Sequence, residues 1–425
     1  MTKSVTCQKI GVVGGGIAGI TAAYLLSKDH EVTLFEANAY LGGHTNTQII
    51  KSGPDEGAAI DTGFIVCNPK NYPLFYKLLS NWGVSLQDSD MSFGYYSELD
   101  NLHYTGPGLR EFAAIPFNFL NPKLIRLFIE QRKFNSKALY DLKRSALEDS
   151  TLSEYARQIG VSEFFISAYL APLACAIWSS PDIAVRDFPA ATFIRFFSNH
   201  GMLELSKRPQ WQTISGGSHT YIKAFLNAYS GKLLINRPVT SIQRLPDSVL
   251  LNFQDGPPEH FDKIVLATHA DQALKLLLDP TPHERDNLSR WQYSQNHTVL
   301  HTDKSVLPKD TRGWASWNYY KRQNDSACGP VTITYYMNRL QRLQAKNDYF
   351  VTLNLQNDID PNSIIFETVY THPIYNLKSI ASQAEIQKTN GSNNTYYCGS
   401  YLRYGFHEDA VSSAVEVAKL LGSSL

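Results

Sequence analysis

The stretch KIGVVGGGIAGITAAYLLSKDHEVTLFEANAYLGGHTNT, residues 9–47, limits what this chain can fold into more than any other. Ile10, Val12 and Val13 form a short apolar run suited to a buried parallel strand. Gly14, Gly16 and Gly19 follow with the spacing GxGxxG: the first allows a tight turn, the second lets a pyrophosphate approach the backbone, and the third lets the next helix pack close. That helix opens at Ile17 and Ala18, whose end of the helix offers free amides and a positive dipole to phosphates. Val32, Leu34 and Phe35 make a second strand, and Glu36 lies at its carboxyl end, where it can accept hydrogen bonds from a ribose. Strand, turn, helix, second strand and acid agree on a dinucleotide site, and Glu36 disfavours a 2′-phosphorylated nucleotide because two anions would meet there.

Beyond Glu36, Ala37 and Asn38 lead to Leu41-Gly42-Gly43, where the chain can pass a pyrophosphate from its other side. This opening resembles that of the flavin-containing amine oxidase superfamily, which also holds phytoene desaturases and protoporphyrinogen oxidase. Those enzymes carry GxGxxG, then Glu, then Gly-Gly-Arg-x-x-Thr. Here the segment is Gly42-Gly43-His44-Thr45-Asn46-Thr47, so His44 replaces the usual arginine. The resemblance implies FAD as cofactor, with Gly42, Gly43, His44, Thr45 and Thr47 beside it. It also implies an α/β fold in which a Rossmann-like FAD lobe is interleaved with a mixed α+β substrate lobe. A narrower similarity rests on Asp61–Val66, Phe188–Phe193, Asn199–Gly201, Arg208–Trp211 and Tyr404–Asp409. These segments resemble a subgroup of FAD-dependent oxidoreductases often encoded beside a cyclopropane-fatty-acid-synthase-like methyltransferase. That subgroup implies a fatty-acyl substrate and an acyl-modifying enzyme as partner.

Further site residues come from the resemblance. Gly63 lets the backbone pass the flavin; the other reading of Asp61-Thr62-Gly63 is a plain turn closed by Asp61. Val239 places its backbone by the adenine, and Ala267 ends a buried strand near the ribityl or pyrophosphate group. Gly399 and Ser400 follow the last strand, with Ser400 replacing the usual acid. Phe406 forms one wall of a substrate cage, without the hydroxyl that many relatives have there. His407 and Ala410 open the last helix, whose first amides can face the flavin pyrimidine ring. His407 either takes part in proton removal or only orients its amide. Glu408 and Asp409 suit a helix cap. In many amine oxidases a lysine on the first strand of the substrate sheet holds a water near flavin N5. The match here falls on Asn296-His297, which makes His297 a catalytic candidate and weighs against ordinary amine oxidation.

The chain has 425 residues and equal numbers of acidic and basic side chains, 39 each, so it has no general field for nucleic acid. Its length suggests two lobes. Residues 1–83, 208–290 and 390–425 are assigned to the FAD lobe, and 84–207 and 291–389 to the substrate lobe. Five scattered cysteines without a CxxC pair suggest neither a disulfide framework nor a zinc site, and no HExxH or carboxylate cluster suggests another metal. No apolar run approaches a membrane span and residues 1–8 leave no room for a signal peptide, so a cytoplasmic protein is expected, with peripheral attachment at the inner face of a membrane as an option. A helix is expected from Pro122 toward Leu142, in a basic region (Arg110, Lys123, Arg126, Arg132, Lys133, Lys137, Lys143 and Arg144) with Phe117 and Phe119 beside it. It reads either as a face for an anionic bilayer or as a solvated outer helix. Thr151 and Glu154 form a capping box. Leu250–Phe253 and Phe261–Ala267 read as a hairpin, and the strands after Gln292 as an antiparallel sheet over a cavity.

Only one dinucleotide fingerprint is present, so the electrons should come from an organic substrate rather than from NADH or NADPH. The favoured expectation is a dehydrogenase, desaturase or oxidase that takes hydride from an apolar, fatty-acyl substrate. Amine oxidation is the alternative, and a non-catalytic flavoprotein or lipid-handling scaffold a second one.

Overall fold

The computed structural model describes residues 6–106, 121–144, 146–147, 149–180, 185–204, 209–322 and 332–425. At its centre lies a five-stranded parallel sheet in the order Lys232–Leu234, Glu31–Phe35, Lys9–Val13, Lys263–Leu266 and Thr395–Tyr397. The middle strand is covered on both faces, which explains its unbroken apolar run; Ile10 and Val12 are fully buried. The helix Ile17–Leu26 packs against this sheet and against the last helix, His407–Leu420. It is therefore apolar all round, and the small residues Ala410, Ala414 and Ala418 of the last helix bring the two axes close.

The second lobe is built on a seven-stranded sheet in the order Ile364–Ile374, Gln292–His301, Phe350–Leu353, Ile333–Tyr336, Trp317–Lys321, Phe93–Ser97 and Leu102–Gly106. All its pairings are antiparallel except that of Trp317–Lys321 with Phe93–Ser97. The helices Pro122–Lys143, Leu152–Gln158, Ala171–Trp178 and Ala190–Asn199 share an aromatic core in which Phe134, Phe165, Phe188 and Phe193 are buried. The Thr151–Glu154 capping box is formed. Between Glu163–Phe165 and Ala171–Trp178 the chain makes a π-helical turn, Ile166–Leu170, ahead of Pro172. Proline has no amide to complete an α-helical ladder, and the wider turn absorbs the break.

One expected hairpin is divided. Val249–Phe253 pairs antiparallel with Glu259–Phe261, but Lys263–Leu266 has already joined the parallel sheet. The chain changes sheets at Asp262, whose amide donates to the Lys9 carbonyl at 2.8 Å while its carboxylate accepts from the Lys9 amide at 2.7 Å. Residues 58–67 form two short strands, Ala59–Asp61 and Val66–Cys67, with Gly63 between them. Arg110, Phe117, Phe119 and Arg208 lie outside the described residues.

Candidate active site

A cavity of about 1800 Å³ is lined by both lobes. One end is made by the glycine turn, Glu36, Gly42, Gly43, Val239 and Ala267; the other includes Phe128, Tyr169, Leu173, Phe196, Trp211 and Tyr335. The π-helical turn carries Tyr169 to this wall, where its hydroxyl accepts a hydrogen bond from Gln131.

The glycines at the first end do different work. Gly14 has φ +106°, and a Cβ there would lie 2.8 Å from the Ala267 carbonyl oxygen. A Cβ at Gly19 would sit 1.8 Å from the Gly14 carbonyl oxygen, so Gly19 sets the turn against its helix and does not line the cavity. A Cβ at Gly16 would meet no protein atom within 4 Å, although Gly16 lines the cavity: the space beside it is open. Gly43 approaches from the opposite side, its Cβ position 3.2 Å from Gly16 Cα. Glu36 is buried; one carboxylate oxygen accepts from the Gly15 amide at 2.7 Å and the other from the Asn38 backbone and side-chain amides at 2.8 Å. No side chain caps the helix Ile17–Leu26 and no acid stands in its first turn, which leaves its positive end to the cavity. These residues fit the pyrophosphate and ribose of a dinucleotide.

Further along, His407 stacks on Phe64 with ring centroids 3.6 Å apart. Its Nε2 lies 3.2 Å from the Thr45 hydroxyl and 3.3 Å from that of Tyr221, and these two hydroxyls also bond to each other. Thr45 therefore positions His407 without lining the cavity. Thr47 is likewise set back: its hydroxyl donates to Asp61 at 2.5 Å and accepts from the His219 amide. The Asp61 carboxylate also accepts from the Ser218 amide and hydroxyl and from the Gln341 side chain, so it ties three segments together rather than closing a local turn. Gly63 lines the cavity, but the close approach it permits is to the chain itself: a Cβ there would lie 2.1 Å from the His44 carbonyl oxygen. Gly399, Ser400 and Ala410 line the cavity beside Phe406, whose ring stacks on Phe196 at 4.8 Å.

Five histidines line the cavity: His44, His200, His269, His372 and His407. Burial lowers the pKa of each, to about 4 for His200 and His269, so all five are neutral at pH 7. The mutual repulsion of His44, His269 and His372 adds to the lowering at His269 and His372. His297 is not among them. Strand alternation turns Asn296 inward, where it is buried, and His297 outward, with its Nε2 3.4 Å from the Glu367 carboxylate. Asp409 caps its own helix by accepting from the Phe406 amide at 2.9 Å, and burial pushes its carboxyl up to about 7.

His269, Tyr293, Tyr370 and His372 carry no motif in the sequence. Only position exposes them: His269 follows Ala267-Thr268 at the end of a central strand, and Tyr370 and His372 share one face of Ile364–Ile374. Among the described residues no group of three or more metal-ligating side chains is assembled, and no helix is long and apolar enough to cross a membrane.

This arrangement defines a two-lobed Rossmann-type fold whose cavity, lined by both lobes, fits a dinucleotide at its glycine-turn end. The chain belongs to the family of flavin containing amine oxidoreductases, whose model it matches over residues 17–325. It is 23% identical over 294 residues to an L-amino-acid oxidase from Siganus canaliculatus, covering 65% of this chain and 53% of that protein. The chain thus spans about half the length of the curated relatives it matches. Among solved structures it is similar to a putrescine oxidase double mutant, with TM-score 0.71, 12% identity and coverage of 97% of this chain and 98% of the other. It is also similar to a fatty acid isomerase from P. acnes that produces CLA, with TM-score 0.65, 15% identity and 97% coverage of both chains. At these identities the two structures share its fold.

Proposed function

We propose that this chain is an FAD-dependent oxidoreductase that dehydrogenates an uncharged, largely apolar amine. The observation that carries this reading is the chemistry of the cavity wall. Among the described lining residues the carboxylates are Glu36, at the ribose end, and Asp90; the rest of the wall combines aromatic, aliphatic and neutral imidazole side chains with uncharged amides and hydroxyls, and its other charges, on Arg132, Arg237, Lys275 and Arg342, are positive. A cationic substrate would find little compensation there, whereas a free-base amine with an apolar body would be desolvated at small cost. The family and the amine-oxidising relatives support an amine over an acyl chain, which reverses the preference drawn from sequence. Bound FAD would supply the two-electron acceptor.

The chain's own residues would do the rest. The Gly14–Gly19 turn, Gly43 and Glu36 hold the dinucleotide. Phe406, braced by Phe196 and Trp178, restricts how the substrate can lie. The apolar wall excludes water from the reacting carbon, which favours a single close approach. Anaerobic titration of FAD-loaded protein with hexylamine and benzylamine should abolish the visible flavin band. Full retention of the band with these amines, together with bleaching by acyl lipids, would reject the reading.

One observation favours a fatty-acyl substrate as a second reading. Ile125, Phe128 and Ile129 line the cavity and yet are 47%, 36% and 61% exposed, so an apolar lip stands at the surface of the helix Pro122–Lys143. That helix carries six cations and two carboxylates; Glu130 pairs with Arg126 and Asp141 with Lys137. Lys123, Arg132 and Lys133 remain without a carboxylate partner among the described residues. Such a face suits an anionic lipid surface, with roughly 1 kcal/mol contributed by each cation close to it. Salt-sensitive co-sedimentation with anionic vesicles, weakened when Lys123, Arg132 and Lys133 are changed to Gln, would support this route. Equal sedimentation of both proteins would remove it.

A further inference from the structure

The function proposed above leaves unexplained why His44 and His372 stand together in the cavity. Their ring centroids are 5.2 Å apart; Tyr370 stacks on His44 at 5.1 Å, and His269 lies 6.2 Å from His44. Each ring is held in one tautomer. His44 Nε2 is 3.2 Å from the Thr371 carbonyl oxygen, which can only accept, so Nε2 carries the hydrogen and Nδ1 a bare lone pair. His372 Nδ1 is 2.9 Å from Asn296 Nδ2. The orientation of that amide is itself fixed, because the Ser179 carbonyl accepts from Nδ2 at 3.0 Å while Asn354 donates to Oδ1 at 2.9 Å. His372 Nδ1 therefore accepts, and its Nε2 carries the hydrogen. The hydrogen bonds that the two rings make among the described residues use His44 Nε2 and His372 Nδ1, which leaves His44 Nδ1 and His372 Nε2–H to the cavity that both rings line.

We propose that His44 Nδ1 and His372 Nε2–H form a preset acceptor–donor pair that receives the uncharged head group of the substrate and selects the free amine over its ammonium form. This rests on the amine reading above. A neutral amine has a hydrogen for His44 and a lone pair for His372. An ammonium has only hydrogens, so it would leave the His372 N–H facing another donor with no acceptor between them. The groups facing the pair offer no compensating anion: His269 and Tyr370 stand against His44, His407 is within electrostatic reach of it, Tyr293 stacks behind on His269, and Thr371 and Asn296 fix the tautomers. Asp271 lies behind His269, on the helix that begins at Ala270.

The experiment follows the flavin absorbance of FAD-loaded protein during titration with hexanol, hexylamine and hexyltrimethylammonium. Hexanol, which also has one hydrogen to give and a lone pair to share, should bind with an affinity independent of pH. Hexylamine binding should track its free-base fraction, and hexyltrimethylammonium should bind at least about ten-fold more weakly than hexanol. His44→Phe and His372→Phe should each weaken hexanol about ten-fold, and His372→Gln, which restores a donor, should recover part of the loss. If a phenylalanine variant fails to load FAD, the comparison is made on His372→Gln and Asn296→Leu, each of which should weaken hexanol with flavin content retained.

Equal binding of hexanol and hexyltrimethylammonium, or unchanged hexanol affinity in the flavin-loaded variants, would overturn the proposal. If hexylamine binds in the expected pattern but never bleaches the flavin, amine oxidation fails while the head-group site stands. If hexylamine bleaches the flavin with an unchanged KM in the variants, the site fails while amine oxidation stands.

Discussion

Glu408 caps a helix other than its own: its two carboxylate oxygens accept from the amides of Leu74 and Phe75, at 3.0 and 2.9 Å. The helix Pro73–Asn81 has no local cap, because Tyr72 offers none and Pro73 occupies its first turn. The start of the last helix, which borders the cavity, is thereby fastened to a separate element. Glu408→Ala should cost about 1–2 kcal/mol, and Glu408→Gln, which keeps one acceptor oxygen, a smaller part of that. Urea denaturation of both variants measures the difference, and equal stability of Glu408→Ala and wild type would contradict it.

The two glycines Gly16 and Gly19 should fail in opposite ways. Gly16 faces open space in the cavity, so Gly16→Val should leave the apoprotein's thermal midpoint nearly unchanged and yield colourless protein. Gly19→Ala would push against the Gly14 carbonyl and should lower the midpoint whether or not cofactor is present. Flavin-to-protein ratio and thermal unfolding of the two apoproteins separate the effects.

His301 gives the fold a defined acid sensitivity. It is fully buried, with Nε2 2.8 Å from the Thr352 hydroxyl and Nδ1 accepting from the Asp303 amide. Burial lowers its pKa from 6.5 to about 4. Between these values the unfolded chain binds a proton that the folded chain does not, so stability is lost as pH falls from about 7 toward 4. For this group the loss from pH 8 to pH 5 is of order 2 kcal/mol. His301→Gln should lower stability at pH 8 and reduce the drop to pH 5 by about that amount. An unchanged pH slope in denaturant titrations would contradict the assignment.

His297 should be dispensable. Its contact with Glu367, 3.4 Å from Nε2 to the carboxylate, is partly exposed, and surface contacts of this kind are worth about 0–1 kcal/mol. His297→Ala should retain wild-type rates of flavin reduction by substrate, while Asn296→Ala should not. Stopped-flow traces of the two variants decide between the neighbours.

The dinucleotide end was legible in the sequence because its chemistry is local. A strand, three glycines, a helix and an acid fall within one short stretch, and their spacing alone states the geometry. The Thr151–Glu154 box and the helix from Pro122 were readable for the same reason. The reacting end was not, because it is made by pairing. Asn296 meets His372 through strand register, and His44 meets Thr371 across 327 positions of sequence. The match to the family's lysine position falls on Asn296-His297, but only the direction of the side chains on the sheet shows which of the two turns inward. The exchange of sheets at Asp262 was hidden for a related reason: the apolar pattern runs on from Phe261 into the next strand although the pairing partner changes.

That exchange at Asp262 has a mechanical consequence. The short antiparallel ribbon bearing Val239, which borders the cofactor end, is bolted to the first strand through Lys9, and Ile242 is held again by the Leu278 amide at 3.0 Å. One anchor ties the ribbon to the central sheet and the other to the end of the helix Ala270–Leu276, so hinging of the ribbon against that sheet is resisted. The nucleotide would therefore settle into a rigid seat, and the give needed to admit a reactant must come from the opposite wall.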